Sequence, residues 1–305
     1  MTVRRKPSTF VISITPFDDQ ERLDEQALRL HYRRLAASGI GVYVVGGGSG
    51  EAYTLTREEQ SRIMHIAAEE LKGKVPARAM GVEPRTAREM IDFARMVEDS
   101  GLEAMQVYSL DMGHGRSPSY EEMDRYFSDV LNEVKLPSII STHQSVGYFV
   151  PVDLMRSLVD RYPQVIGVNL TSADVTYLQR MLDALPERID LHVGGPMHTM
   201  TALAMGANGY LATEGNLAPK LCQSVVELYA AGDYRAAEEA YCRLMRLFAM
   251  NMSFGGTKAA LSIYGLPGGM TRRPRLPRWK PESEAIIRKT LEELDIPRTE
   301  GFARA

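Results

Sequence analysis

Val44-Val45-Gly46-Gly47-Gly48-Ser49-Gly50-Glu51 decides the fold: an apolar strand runs into a glycine turn, and Leu55 then leads to a helix start at Thr56-Arg57-Glu58-Glu59. That start is a capping box, in which the Thr hydroxyl and the Glu carboxylate satisfy free N–H groups of the first turn. Strand, turn and helix in this order make a βα unit. The glycines let backbone N–H groups approach a ligand without side chains in the way, which suits a carboxylate or a phosphate. The same glycines equally serve a tight βα turn that binds nothing.

Outward from this unit, short apolar runs alternate with amphipathic segments: Phe10 to Ile14, Val42 to Val45, Val75 to Met80, Ala104 to Tyr108, Ser138 to Thr142, Val165 to Val168, Ile189 to Val193 and Gly209 to Ala212. Two further capping boxes stand at Thr86 to Glu89 and Ser119 to Glu122. Repeated βα units imply a parallel sheet, and eight of them imply an α/β fold of the closed (β/α)8 TIM barrel type. From about Pro219 the pattern holds no strand, only helical stretches such as Asp233 to Met250 and Glu282 to Leu294. The expected organisation is a barrel over residues 1–218 and a C-terminal helical extension over 219–305. Between the last helical stretches, Thr271-Arg272-Arg273-Pro274-Arg275-Leu276-Pro277-Arg278-Trp279-Lys280-Pro281 carries five basic residues and prolines that forbid a regular helix. We read it as a packed linker rather than a polyanion site.

The 305 residues, 44% hydrophobic and 25% charged, can bury one large core. A net charge of -3 gives no electrostatic reason to bind nucleic acid or an anionic membrane, so a small molecule is the expected partner. Cys222 and Cys242 are far from any Cys-x-x-Cys spacing, so neither a disulfide framework nor a zinc knuckle is expected. The basic start Met1-Thr2-Val3-Arg4-Arg5-Lys6 precedes no long apolar region, and no run approaches the ~18 apolar residues of a membrane span. A soluble, cytoplasmic protein with no cofactor is the expectation. The 17 Met are scattered, as core filler is.

Ile14-Thr15-Pro16-Phe17, Gly47-Gly48-Ser49-Gly50-Glu51, Ile166-Gly167-Val168 and Gly215-Asn216-Leu217-Ala218-Pro219 follow one another in an order and spacing that resemble the dihydrodipicolinate synthase and N-acetylneuraminate lyase superfamily, as do Lys258, Leu266 and Arg275-Leu276-Pro277. The resemblance covers nearly the whole chain. It implies an aldolase-like barrel with a helical tail, assembled as a homo-oligomer, a tetramer or dimer. It also implies a lysine after Ile-Gly-Ile that forms a Schiff base with a 2-oxo acid. Here that position is Asn169, and an amide forms no imine. Lys220 and Lys258 lie in helical segments and are poor substitutes. The family's strand-five tyrosine falls on Ser141 or Ile140, its Tyr-Tyr pair on Leu110-Asp111, and its Thr-Thr pair on Gly48-Ser49. The loop His143-Gln144-Ser145-Val146-Gly147 lacks the synthases' arginine.

In a barrel, the residues at the C-terminal strand ends surround the site. The strand reading puts Gly48, Ser49, Glu51, Asp111, His114, Ser141, His143, Asn169, Thr171, His198 and Glu214 there. We expect Asn169, His143, Glu214 and Asp111 to carry chemistry, and Gly48, Ser49, Ser141, Thr171 and His198 to bind substrate. Imidazoles and carboxylates suit proton transfer near neutral pH. Glu51 is expected to brace the turn, and His31, His65 and His192 to be structural. The leading reading is a lyase or hydratase acting on a small 2-oxo or hydroxy acid without a covalent intermediate. The alternatives are a non-catalytic ligand-binding or scaffold protein, and a metal-dependent lyase using His143, His198, Asp111 and Glu214, although no compact spacing supports a metal.

Overall fold

The eight apolar runs are strands, and they close on themselves. A computed structural model of the chain describes residues 7–143, 149–250, 254–275 and 283–302. Strands β1 (Ser8–Ile12), β2 (Gly41–Gly46), β3 (Ala77–Gly81), β4 (Met105–Val107), β5 (Ser138–His143), β6 (Val165–Thr171), β7 (Asp190–Gly194) and β8 (Gly209–Ala212) pair in sequence order, all parallel. β8 returns to β1 through Ser8↔Gly209 and Val11↔Ala212, so the sheet has no edge. This is the (β/α)8 barrel expected from the sequence. β1 stops short of Ile14 because the Ile14 N–H donates to the Asn216 side chain at 2.9 Å instead of to a neighbouring strand.

Strand alternation sorts side chains between barrel axis and helix layer. On β5, Thr142 faces outward and hydrogen-bonds the Tyr177 hydroxyl, so Ser141 and His143 face the axis. On β8, Tyr210 faces outward and its hydroxyl donates to the Cys222 carbonyl.

The ring helices are α1 (Glu25–Ser38), α2 (Arg57–Leu71), α3 (Ala87–Ser100), α4 (Tyr120–Glu133), α5 (Val152–Arg161), α6 (Val175–Ala184), α7 (Thr199–Met205) and α8 (Pro219–Ala230). The boxes at Thr56 and Ser119 are closed in both directions. At Thr86 only half forms: Thr86 accepts from the Glu89 N–H, but the Glu89 carboxylate accepts from the Arg85 N–H. Because α8 packs on β1 and α1, it completes the ring, and the extension proper begins after it. The extension holds α9 (Tyr234–Ala249), α10 (Phe254–Ile263), α11 (Glu284–Glu293) and α12 (Ile296–Glu300). Its end returns to the ring: the Glu300 carboxylate accepts from the Lys220 and Leu221 N–H groups at the start of α8. Among the described residues, no helix is long and apolar enough to cross a membrane.

Candidate functional site

The glycine turn after β2 is held from behind. Thr15 donates its hydroxyl to the Gly50 carbonyl at 2.7 Å. Glu51, fully buried and in the left-handed region at φ 54, pairs with Lys258 of α10 at 2.5 Å. Lys258 also donates to the carbonyls of Thr15 (2.6 Å) and Met270 (2.8 Å), so all three ammonium hydrogens have acceptors. Burial lowers the Lys258 pKa to about 8, and the Glu51 carboxylate opposes that shift. Arg272 joins the same brace through the Glu59 carboxylate and the Thr54 and Glu21 carbonyls. Thus Glu51 has the bracing role expected of it, and Lys258 is committed to that role.

The linker also acts on the turn itself. Arg275 donates to the carbonyl oxygens of Gly48 (3.1 Å) and Gly47 (3.4 Å). In a planar trans peptide, C=O and N–H point in opposite directions. With both oxygens drawn to Arg275, the N–H groups of Gly48 and Ser49 face away from it, and neither donates a hydrogen bond among the described residues. Successive free N–H groups of this kind form a concavity for an anion. The buried Ser49 hydroxyl adjoins the Thr213 hydroxyl of the β8 loop at 3.2 Å. The rest of Leu276 to Pro281 lies outside the described residues, as do Gln144 to Gly147.

Across the barrel, the interior is polar. Asn169, 4% exposed, donates through Nδ2 to the Tyr43 hydroxyl (3.0 Å) and to Gln106 Oε1 (2.5 Å). Arg78 donates to the same Tyr43 hydroxyl at 3.2 Å and stacks on Phe10, 4.2 Å from its ring centre. The Tyr108 pKa is raised well above its ordinary value, by burial first and then by the Glu83 carboxylate. Burial lowers the His143 pKa, with Glu83 opposing, so the imidazole is neutral at pH 7. Tyr53, beside the glycine turn, hydrogen-bonds Glu83, and burial and that carboxylate raise its pKa. Glu83 therefore acts on Tyr53 beyond β2, Tyr108 just after β4 and His143 at the end of β5.

The structure brings some of the expected residues together and disperses others. The register sets Ser141 beside Asn169 and His143 beside Thr171 on the axis face. The missing side chain of Gly194 leaves room for Thr171, whose Oγ1 would lie 1.9 Å from a Cβ there. Asp111 instead forms a surface pair with Arg85 at 3.2 Å, and its other oxygen accepts from the Gly113 N–H. His198 occupies the N-cap of α7, without a capping hydrogen bond. Burial raises the Glu214 pKa, but its charge acts on Tyr210 and Cys222, on the helix side of β8. Among the described residues, no group of three or more His, Cys, Asp or Glu could hold a metal ion, so the four residues considered as ligands are not gathered. Tyr43, Arg78, Gln106, Tyr108, Tyr53 and Glu83 escaped the sequence reading. The available signal was a polar residue inside an apolar strand, as in Val42-Tyr43-Val44 and Met105-Gln106-Val107. A cleft of about 810 Å3 near Pro7, Leu185, Asn208 and Tyr229 lies at the opposite, N-terminal end of the strands, away from these groups.

Residues 7–294 match the model of the dihydrodipicolinate synthetase family. A 4-hydroxy-tetrahydrodipicolinate synthase of Methanopyrus kandleri is 28% identical over 288 residues, covering 93% of this chain and 94% of the relative. One from Chloroherpeton thalassium is 26% identical over 281 residues, 91% and 92% of the two chains. In fold, the chain is similar to the 4-hydroxy-tetrahydrodipicolinate synthase of Methylacidiphilum fumariolicum SolV, with a TM-score of 0.86 at 24% identity over 97% and 99% of the chains. The dihydrodipicolinate synthase of Aquifex aeolicus gives a TM-score of 0.86 at 23% identity over 95% and 99%.

Proposed function

Because this chain belongs to the dihydrodipicolinate synthetase family, we propose that it is a lyase or hydratase acting on a small 2-oxo or hydroxy acid without a lysine Schiff base. The observation that carries this reading is the buried polar network from Arg78 through Tyr43 and Asn169 to Gln106. A barrel that has lost its chemistry fills with apolar side chains, whereas each polar group here keeps its desolvation cost. The substrate carboxylate rests on the N–H groups of Gly48 and Ser49 and on the Ser49 hydroxyl. His143, neutral at pH 7, takes a proton from substrate carbon or hydroxyl and returns it to the departing oxygen or to carbon. The N–H pair and the Ser49 hydroxyl hold the developing negative charge. The proton balance is internal to the site. We propose a homo-oligomer, tetramer or dimer, to be measured by light scattering.

The test is proton NMR in D2O with 2-oxo and 2-hydroxy acids of three to six carbons, alongside borohydride treatment and intact-mass measurement. Deuterium incorporation or cleavage, reduced at least about tenfold in His143→Ala, is expected. No borohydride-stable adduct should form. A reduced adduct on a lysine would overturn the non-covalent reading. One observation favours a ligand-binding protein instead: both N–H bonds of Asn169 are spent within the protein. Binding without exchange or cleavage across the panel would select that second reading.

A further inference from the structure

We infer that the ligand of this site is a hydroxy acid rather than the oxo acid of the same carbon skeleton, a refinement that rests on the acid-binding reading above. The reason lies in which hydrogen-bonding groups the barrel has left over. Gln106 presents its amide carbonyl to Asn169 and accepts there. Asn169 must therefore present its NH2 to Gln106, and its second hydrogen goes to Tyr43. Both donors are thereby used. The Asn169 Oδ1 atom is buried and has no hydrogen-bond partner among the described residues.

A buried acceptor without a donor has lost its water and gained nothing in return. A ligand hydroxyl supplies the missing donor. A ketone oxygen sets a second acceptor against the first and leaves both unsatisfied. On the glycine-turn side the leftover groups are of the opposite kind, the N–H bonds of Gly48 and Ser49. The Tyr43 hydroxyl, on the strand that leads into that turn, touches Asn169, which ties the two sets to one strand. Donors on one side call for a carboxylate, and an acceptor on the other calls for a hydroxyl. A hydroxy acid carries both.

The experiment is titration calorimetry of the full-length protein with matched pairs: lactate against pyruvate, malate against oxaloacetate, 2-hydroxyglutarate against 2-oxoglutarate. The hydroxy member of at least one pair is expected to bind about tenfold or more tightly than its oxo partner, and Asn169→Ala to reduce that preference to within about twofold. If Asn169→Ala does not fold, the wild-type pairs decide alone. Equal or tighter binding of the oxo acids overturns the inference and leaves the acid-lyase reading standing. A hydroxy preference unchanged in Asn169→Ala overturns the assignment to Asn169. No binding in any pair overturns both the inference and the reading beneath it.

Discussion

The two sides of the barrel mouth are built on different terms. Around β8, β1 and β2, polar groups hold the protein to itself. Asn216 accepts from the Ile14 N–H and the His31 ring and donates to the Ile12 and Thr213 carbonyls, while Lys258 satisfies Glu51 and two carbonyls. Around β4 to β6 the polar groups are equally buried, and among the described residues Asn169 Oδ1 and the Ser109 hydroxyl lack a hydrogen-bond partner, as His31 Nδ1 does on the first side. The family-like motifs Thr15-Pro16-Phe17, Gly50-Glu51 and Asn216 lie on the first side. Ile166-Gly167-Val168 and Asn169, where the resemblance implies a lysine, lie on the second.

This contrast breaks most directly at Lys258. Lys258→Met removes the cation that buried Glu51 pairs with, and should destabilise the fold by about 3–5 kcal/mol in urea unfolding. The double variant Lys258→Met, Glu51→Leu should recover a large part of that loss. Equal loss in both would show that packing, not charge pairing, holds the turn.

Acid should strike the scaffold side next. Burial lowers the pKa of His31 and His192 to about 3, from the usual 6.5. Between those values the unfolded chain binds more protons than the folded one. Stability is therefore lost as pH falls below 6.5, by about 1.4 kcal/mol per pH unit per histidine. His192→Gln should remove about one proton from that slope. An unchanged slope would mean that His192 does not govern the acid limit.

Two smaller effects sharpen the other side. Arg275→Gln frees the Gly47 and Gly48 carbonyls and should weaken binding of a carboxylate ligand by about tenfold, with little change in melting temperature and partial rescue by Arg275→Lys. A fall in melting temperature with unchanged affinity would make Arg275 a plain structural contact. Ser109→Ala should be neutral or slightly stabilising, within about 0.5 kcal/mol, because its buried hydroxyl has no partner to lose. A loss above about 1 kcal/mol would show that this half is better satisfied than it looks.

The same asymmetry explains what could be read from sequence. Strand and helix periods are local, so the barrel and the capping boxes at Thr56 and Ser119 were legible. The glycine turn was legible too, because strand, turn and cap are contiguous. Side-chain destination is not local. Asp111 and Glu214 had the right residue type at the right strand ends, yet Arg85 draws one to the surface and the other influences the helix side of β8. Tyr43 and Gln106 look like ordinary strand residues until barrel closure sets both against Asn169. Even the half-formed box at Thr86 required knowing where Glu89 turns.

The brace joining Glu51 to Lys258 spans 207 positions of the chain. During synthesis from the N-terminus, strands β1 and β2 emerge early, yet the glycine turn between β2 and α2 cannot acquire its ammonium partner until α10 has been made. The N–H groups of the glycine turn are thus encoded near the start of the chain, and part of their brace near its end. A nascent chain released at the ring's last helix would own every strand of the barrel but neither the Lys258 nor the Arg275 contact to the glycine turn.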